Sequence, residues 1–280
     1  MELGEFIPGK GRSFKMTKTQ KNTLILGALL ALFLLAIWQG KAYLKRYRVL
    51  TFDRPTAILT MDYGSSTDYS SNFPYLKERG IAATSFISGS LLDSKGYLTS
   101  AQIQEMAKQG WDFQCNLYEL KNLEKLNEKE LKEQLKKNNA VFKKLGLPKP
   151  LATAAPFGKV PRASEKIVLK ERSALRLGWR KPANQSYAYR AIRQKDLKGL
   201  YAVNLDLTDR SKDRMKHVRE VIDAAKNRKG LLIFYFHRTT KENPVKFQGV
   251  REQYLREIVD YLIQSGYNFT TIRAMTQYMQ

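Results

Sequence analysis

The sequence predicts an α/β fold: a parallel, barrel-like sheet wrapped by helices and preceded by one N-terminal transmembrane helix. Ala57-Ile58-Leu59-Thr60-Met61 is an apolar run without polar alternation, which suits a parallel strand covered on both faces. From there to the C-terminus, strand and helix signals alternate across short connections. Ahead of the run, Leu24 to Trp38 carries no charge and is built of Leu, Ala, Ile and Phe with a single Gly.

At 280 residues, 43% hydrophobic and 27% charged, the chain can bury one sizeable core, and this composition excludes wholesale disorder. Net charge is +23 and pI is near 9.9. Ten of the 49 basic and three of the 26 acidic residues precede position 55, so 39 against 23 remain beyond it, a net +16. Such a surface attracts polyanions, whether anionic lipid, acidic envelope polymers or nucleic acid, and a solvated basic surface without a dedicated partner is the plain alternative. Cys115 is the only cysteine, which excludes a disulfide framework and a thiolate zinc cluster and leaves the redox compartment open.

In chain order, residues 1–22 read as a basic tail with Lys10, Arg12, Lys15, Lys18 and Lys21. Residues 23–40 read as a transmembrane signal anchor, and reaching the roughly 20 residues a bilayer requires would recruit Thr23 and Gln39 to Tyr43, with Lys41 snorkelling outward. A cleaved signal peptide is the rival reading, but Gly40-Lys41-Ala42 is a poor cleavage site, so an uncleaved anchor with the domain outside the cytoplasm is preferred. Lys41, Lys45, Arg46, Arg48 and Arg54 balance the five basic residues of the tail, so charge alone does not orient it. Residues 41–54 read as a basic stalk and 55–280 as the folded domain. Within the domain, strands are expected at 57–61, 84–88, 111–115, 151–154, 200–206, 231–236 and 268–272. Helices are expected near 73–79, 99–109, 127–144, 161–172, 212–228 and 248–265. Asn127 with Glu130 makes a capping box for the third of these, and Gly146-Leu147-Pro148 stops it.

Asp62, Tyr63 and Gly64 end the first strand and are followed by Ser65-Ser66, where an α/β barrel places its chemistry. Further fragments follow in a fixed order: Ala83-Thr84-Ser85-Phe86-Ile87, Leu98-Thr99-Ser100 through Gly110, Ala154-Ala155-Pro156-Phe157-Gly158, Asp206-Leu207-Thr208-Asp209-Arg210, and Ile233-Phe234-Tyr235-Phe236-His237. With Ala57 to Gly64 these resemble, in register, the motifs of the polysaccharide deacetylase family, the NodB homology domain, across residues 55 to 275. The resemblance implies a distorted (β/α) barrel of the polysaccharide deacetylase type.

It also implies hydrolysis of N- or O-acetyl groups on chitin-like, peptidoglycan or exopolysaccharide chains with a divalent metal that polarises the acetyl carbonyl. The family's base falls on Asp62 and its acid on His237, with Asp206 in the fourth motif. The second motif aspartate, a metal ligand, falls on Tyr63. The two ligand histidines of H-[ST]-x-x-H fall on Asn116 and Leu120 of Asn116-Leu117-Tyr118-Glu119-Leu120, and the arginine that orients the base falls on Ala154. No metal is therefore expected. His217 and His237 are the only histidines, and His217, in a basic helical stretch, reads as a surface residue. Tyr63, Tyr118 and Phe157, with Trp179, are candidates for lining a sugar site, and they are equally candidates for core filling.

Asp62 and His237 have two readings, residual chemistry or a buried polar pair at the barrel mouth. The preferred function is a membrane-anchored pseudoenzyme of the cell envelope that binds an acetylated polysaccharide or peptidoglycan-like glycan or supports a partner enzyme. The alternative is a rewired, metal-independent hydrolase using Asp62 and His237, with Tyr63 as proton donor or oxyanion stabiliser. A binder of anionic lipid or nucleic acid is the third class, and the sequence holds no recognised motif for a specific nucleic acid.

Overall fold

A computed structural model of the chain describes residues 17–46, 48–178, 187–206, 211–242 and 249–280. The chain divides into two units, Met1–Arg46 and Tyr47–Gln280. In the first, helix α1 (Lys18–Arg46) contains Asn22–Gly40, a 19-residue stretch long and apolar enough to cross a membrane, although a signal sequence meets the same description. Its apolar side chains face outward on all sides, with Leu24, Leu30, Phe33 and Trp38 all exposed.

The second unit opens with β1 (Val49–Thr51) and β2 (Thr56–Tyr63). Then follow α2 (Phe73–Lys77), β3 (Thr84–Ile87), α3 (Ser100–Lys108), β4 (Asp112–Cys115), α4 (Glu128–Lys144), β5 (Ala152–Ala154), α5 (Arg162–Glu171) and β6 (Ala174–Leu177). After β7 (Ala191–Arg193) come β8 (Leu200–Tyr201), β9 (Val203–Asn204), α6 (Ser211–Lys226), β10 (Leu231–Phe236), β11 (Thr239–Thr240), β12 (Val250–Arg251), α7 (Glu252–Gln264), β13 (Asn268–Phe269) and α8 (Ile272–Tyr278). The main sheet runs β8-β6-β5-β4-β3-β2-β10-β9, with every pairing parallel. Only Ala202 separates β8, paired on β6, from β9, paired on β10, so one stretch of chain joins both edges and nearly closes the barrel.

Strand β2 shows why its sequence does not alternate. Ala57, Leu59 and Met61 pack outward against the helix layer with Phe73, Leu76, Ile222 and Leu262, while Ile58 packs inward with Phe86, Ala154 and Ile233. Both faces are covered, and β2 is buried from Thr56 to Asp62. The capping box on α4 forms as expected: Glu130 N donates to Asn127 Oδ1 at 3.0 Å and Asn127 N donates to Glu130 Oε2 at 2.8 Å.

Several expectations need correction. Strand β6 was not among those expected: only Arg172 and Ser173 separate it from α5, and its four residues are too few to show a period. The segment expected as a strand at 268–272 holds only β13, because the Thr271 hydroxyl accepts from Ala274 N and starts α8. Within the expected stalk of 41–54, α1 continues to Arg46 and β1 pairs antiparallel with β7, so order begins ahead of residue 55. Helix α8 lies across the strand starts: Ile272 N donates to Thr84 Oγ1, Arg273 N to Asp112 Oδ2, and Gln280 Nε2 to Ser173 Oγ. Arg48, beside β1, donates to Tyr278 O at this same end.

Under the helix layer, Asp68 is fully buried; its Oδ2 accepts from Ser85 Oγ at 2.9 Å and its Oδ1 has no partner. Burial pushes its carboxyl well above the ordinary aspartate value of 3.8; the Ser85 bond opposes this and the Asp62 charge adds to it. A raised carboxyl stabilises the fold fully below its unfolded value, and that stability is lost as pH rises through the folded value. Asp68→Asn, which keeps an acceptor for Ser85 and abolishes the titration, should raise Tm at pH 8 by about 2–4 °C. Near pH 4 it should leave Tm close to that of the wild type, and scanning calorimetry at the two pH values checks both.

Candidate functional site

The C-terminal ends of the parallel strands carry the chemistry. Asp62 comes from the end of β2 and Arg176 from β6, and Arg176 Nη2 donates to Asp62 Oδ1 in an ion pair whose side chains are 1% and 7% exposed. The guanidinium lies between two rings, 5.1 Å from the Phe86 centroid and 4.9 Å from that of Tyr235. It needs small neighbours. Ala154 is its partner in the β5–β6 register, and a Cβ on Gly178 would stand 2.8 Å from Arg176 Nη1 and 3.0 Å from the Tyr235 ring.

This overturns one expectation. With Ala154 at the arginine position of the third motif, Asp62 was expected to lack an orienting arginine, but Arg176 provides one from the adjacent strand. The signal in the sequence was a charged residue inside the apolar fragment Ala174-Leu175-Arg176-Leu177, one strand beyond an unexpectedly small residue.

The second pair joins β10 to the segment after β9. His237 Nδ1 lies 2.5 Å from Asp206 Oδ2 and His237 N donates to Asp206 Oδ1 at 3.1 Å, so the ring is fixed in orientation. Burial by itself lowers the affinity of His237 for its proton, but the hydrogen bond and charge of Asp206, helped by Asp62, outweigh it and raise the pKa above the usual histidine value. Tyr63 stands against this ring, 4.8 Å between centroids. Burial, then the Asp62 charge, pushes its phenol well up, so Tyr63 is a neutral O–H donor. Tyr63 (φ +73°), Leu117 (φ +61°) and Phe157 (φ +60°) all take left-handed backbone, Tyr63 as the last residue of β2 and the other two shortly beyond β4 and β5. Such conformations in non-glycine residues cost of order 1–3 kcal/mol each and gather at functional sites.

Around these pairs is a cavity of about 650 Å³ lined by Asp62, Tyr63, Phe157, Arg176, Asp206 and His237, with Tyr235, Asn122, Glu124, Lys159, Asn204 and Arg214 also on its walls. Phe157 presents an aromatic face at 52% exposure. The last five residues were not foreseen: Asn122, Glu124 and Lys159 follow strands in segments without a period, and Asn204 and Arg214 are single polar residues of β9 and α6. Arg214 Nη1 donates to Asp206 O, and Lys159 faces Glu124 at 3.8 Å. Of the predicted residues, Asp62, Tyr63, Phe157, Asp206 and His237 meet here. Tyr118 stands elsewhere, its ring 5.7 Å from Lys137 Nζ and against Gly89. His217 is exposed on α6. Trp179, Asp209 and Arg210 lie outside the described residues.

The residues present do not fit a divalent metal of the family kind. Asp62 is engaged by Arg176 and Tyr63 is a protonated phenol. Asn116 is buried with its amide on Ala154 O (3.4 Å) and Ser88 Oγ (3.5 Å), and Leu120 offers no donor atom. Glu119 is held by Lys121 and Gln134. Among the described residues no three His, Cys, Asp or Glu side chains cluster as a ligand set.

Residues 50–172 match the family model for polysaccharide deacetylase, a span that ends before β6 and so excludes Arg176, Asp206 and His237. No curated protein sequence matches the chain. Among solved structures, it is similar to a family 4 acetyl xylan esterase from Clostridium thermocellum in complex with a cobalt ion, at 14% identity over 79% of this chain and 90% of that one, with a TM-score of 0.54. A peptidoglycan N-acetylglucosamine deacetylase superposes at 14% identity over 82% and 91%, TM-score 0.53. So does a mutant of a CE4 family pseudoenzyme with restored enzymatic activity, at 15% identity over 81% and 68%, TM-score 0.53. These likenesses show the fold: the domain is a nearly closed parallel barrel of the deacetylase type, and the resemblance read from the motifs stands.

Arg176→Met would strand Asp62 as a buried charge and should cost about 3–5 kcal/mol of unfolding free energy. The double variant Asp62→Leu with Arg176→Met should recover most of that loss, as read from urea unfolding of both. A single-variant cost under about 1 kcal/mol would mean that the pair is not closed in solution.

Proposed function

We propose that this domain of deacetylase fold is a glycan-binding pseudoenzyme of the cell envelope, held at a membrane by its N-terminal helix and facing outside the cytoplasm. Its ligand class is an acetylated polysaccharide or a peptidoglycan-like glycan. The observation that carries this reading is that Arg176 holds Asp62 in the cavity wall, while of the family's ligand positions Tyr63 presents a phenol to the cavity and Asn116 and Leu120, an amide already engaged and an alkyl chain, are not among its lining residues. A cation is supplied there by the protein itself. The exposed ring of Phe157 and the amides and charges of Asn122, Asn204, Lys159 and Arg214 suit a sugar ring, which offers C–H faces to aromatics and hydroxyls to polar groups. The relatives' substrates, xylan and peptidoglycan in the names of two of them, support the class and leave the particular glycan open.

A second reading has its own support. The Asp62–Arg176 and Asp206–His237 pairs are both formed and Tyr63 stands beside His237, so an acid, a base position and a phenol donor share one cavity. A metal-independent hydrolase would use Tyr63 O–H and protonated His237 toward the developing oxyanion and leaving group.

Acetate release and binding decide between them. The purified protein should hold no stoichiometric zinc, cobalt or nickel. It should bind acetylated chitin or peptidoglycan oligomers in calorimetry, with Phe157→Ala weakening binding about 5- to 150-fold, the loss of roughly 1–3 kcal/mol of ring contact. It should release no acetate. Acetate release that persists in chelator would favour the rewired hydrolase, and absence of any glycan binding would defeat both.

Tyr63→Asp, Asn116→His and Leu120→His together should create one metal site per chain, and acetate release should follow without Ala154→Arg, because Arg176 already serves Asp62. Adding Arg176→Met to that variant should lower the release by roughly 10²-fold or more, since a misplaced base forfeits a contribution of about that size. Metal stoichiometry and acetate assay of the two variants check this.

A further inference from the structure

Half of the domain's net charge of +16 lies in the turns at one end of the barrel. Because the strands are parallel, the turns that lead from helices into them share the end opposite the cavity. The segments 77–83, 108–112, 143–151, 170–173 and 226–230 hold 11 Lys and Arg against three Asp and Glu. At the cavity end, segments 63–72, 88–99, 116–127, 155–161, 205–206 and 237–242 hold six of each. The three acids at the basic end are already paired, Asp112 with Arg273 at 3.1 Å, Glu171 with Lys149 at 3.2 Å and Glu78 with Arg79 at 3.7 Å. Helix C-termini favour cations, and α2, α3, α4, α5 and α6 all carry a lysine in the last turn, but Lys149, Arg228 and Lys229 lie beyond that effect.

The chain also joins the domain at this end. Arg48 bonds to Tyr278 O of α8, the helix laid over the strand starts, and Val49 follows Arg46, the last residue of α1, by three positions. Three residues span at most about 11 Å. On the reading that Asn22–Gly40 spans a bilayer, Val49 follows Gly40 by nine positions, at most about 32 Å of chain, so the end at which the chain enters the domain is the end tethered to the lipid. We propose that this end is a docking face for anionic phospholipid, which holds the cavity away from the membrane and open to glycan. Charge complementarity and the short tether favour lipid over a soluble polyanion.

The test uses the full chain in nanodiscs of phosphatidylcholine alone or with 30% phosphatidylglycerol, a composition of about that value being enough for a strong surface potential. Amine labelling read by mass spectrometry follows Lys108 and Lys229 at the basic end, with Lys159 at the cavity as control. In anionic discs the first two should label about five-fold more slowly than in neutral discs, and Lys159 should not change. Raising salt to about 0.5 M should abolish the difference. Lys108→Glu with Lys229→Glu should release the protection of Lys226 in anionic discs. Equal labelling in both discs would overturn the proposal. So would equal protection by a polyuridylate homopolymer without lipid, which would mark an unselective polyanion surface. Failure of the chain to enter neutral discs would instead overturn the anchor reading on which the proposal rests.

Discussion

A charge placed inside a barrel must be answered there, and Arg176 is where the site end of this molecule depends on that rule. Water cannot reach a side chain that is 1% exposed, so its guanidinium is met by one carboxylate and two aromatic faces. Each neighbour is then constrained: Asp62 must stay a carboxylate, Phe86 and Tyr235 must stay flat, and Ala154 and Gly178 must stay small. Tyr235 is fixed in turn by its hydroxyl on Gly178 O.

The same ion pair frames the functional question. A hydrolytic metal site requires carboxylate and imidazole lone pairs converging on open space, and at these positions they are spent on protein partners or missing. The cavity nevertheless keeps two oriented acid pairs and an exposed ring. Left-handed backbone at Tyr63, Leu117 and Phe157 adds local strain of order 1–3 kcal/mol per residue at this end of the barrel.

Charge is arranged along the barrel axis rather than scattered. Among the described segments the cavity end is balanced and the strand-entry turns hold a net +8, half of the +16 beyond residue 54. A parallel barrel makes this separation possible, since it sorts every helix-to-strand turn to one end and every strand-to-helix turn to the other.

The sequence by itself determined the barrel, its parallel strands and most of its helices, because covering both faces of a strand leaves an unbroken apolar run and capping a helix requires particular side chains at fixed spacing. It also determined that Asp62, Tyr63, Phe157, Asp206 and His237 share one end, since each closes or follows a strand. Only the tertiary structure decided that Arg176 reaches Asp62 from the strand beside Ala154, that Tyr118 turns away to Lys137, and that 272–278 is a helix closing the far end. Those facts depend on which strands are neighbours and in what register. A contact between residues 114 positions apart in the chain, as Asp62 and Arg176 are, leaves no local period or spacing by which it is read.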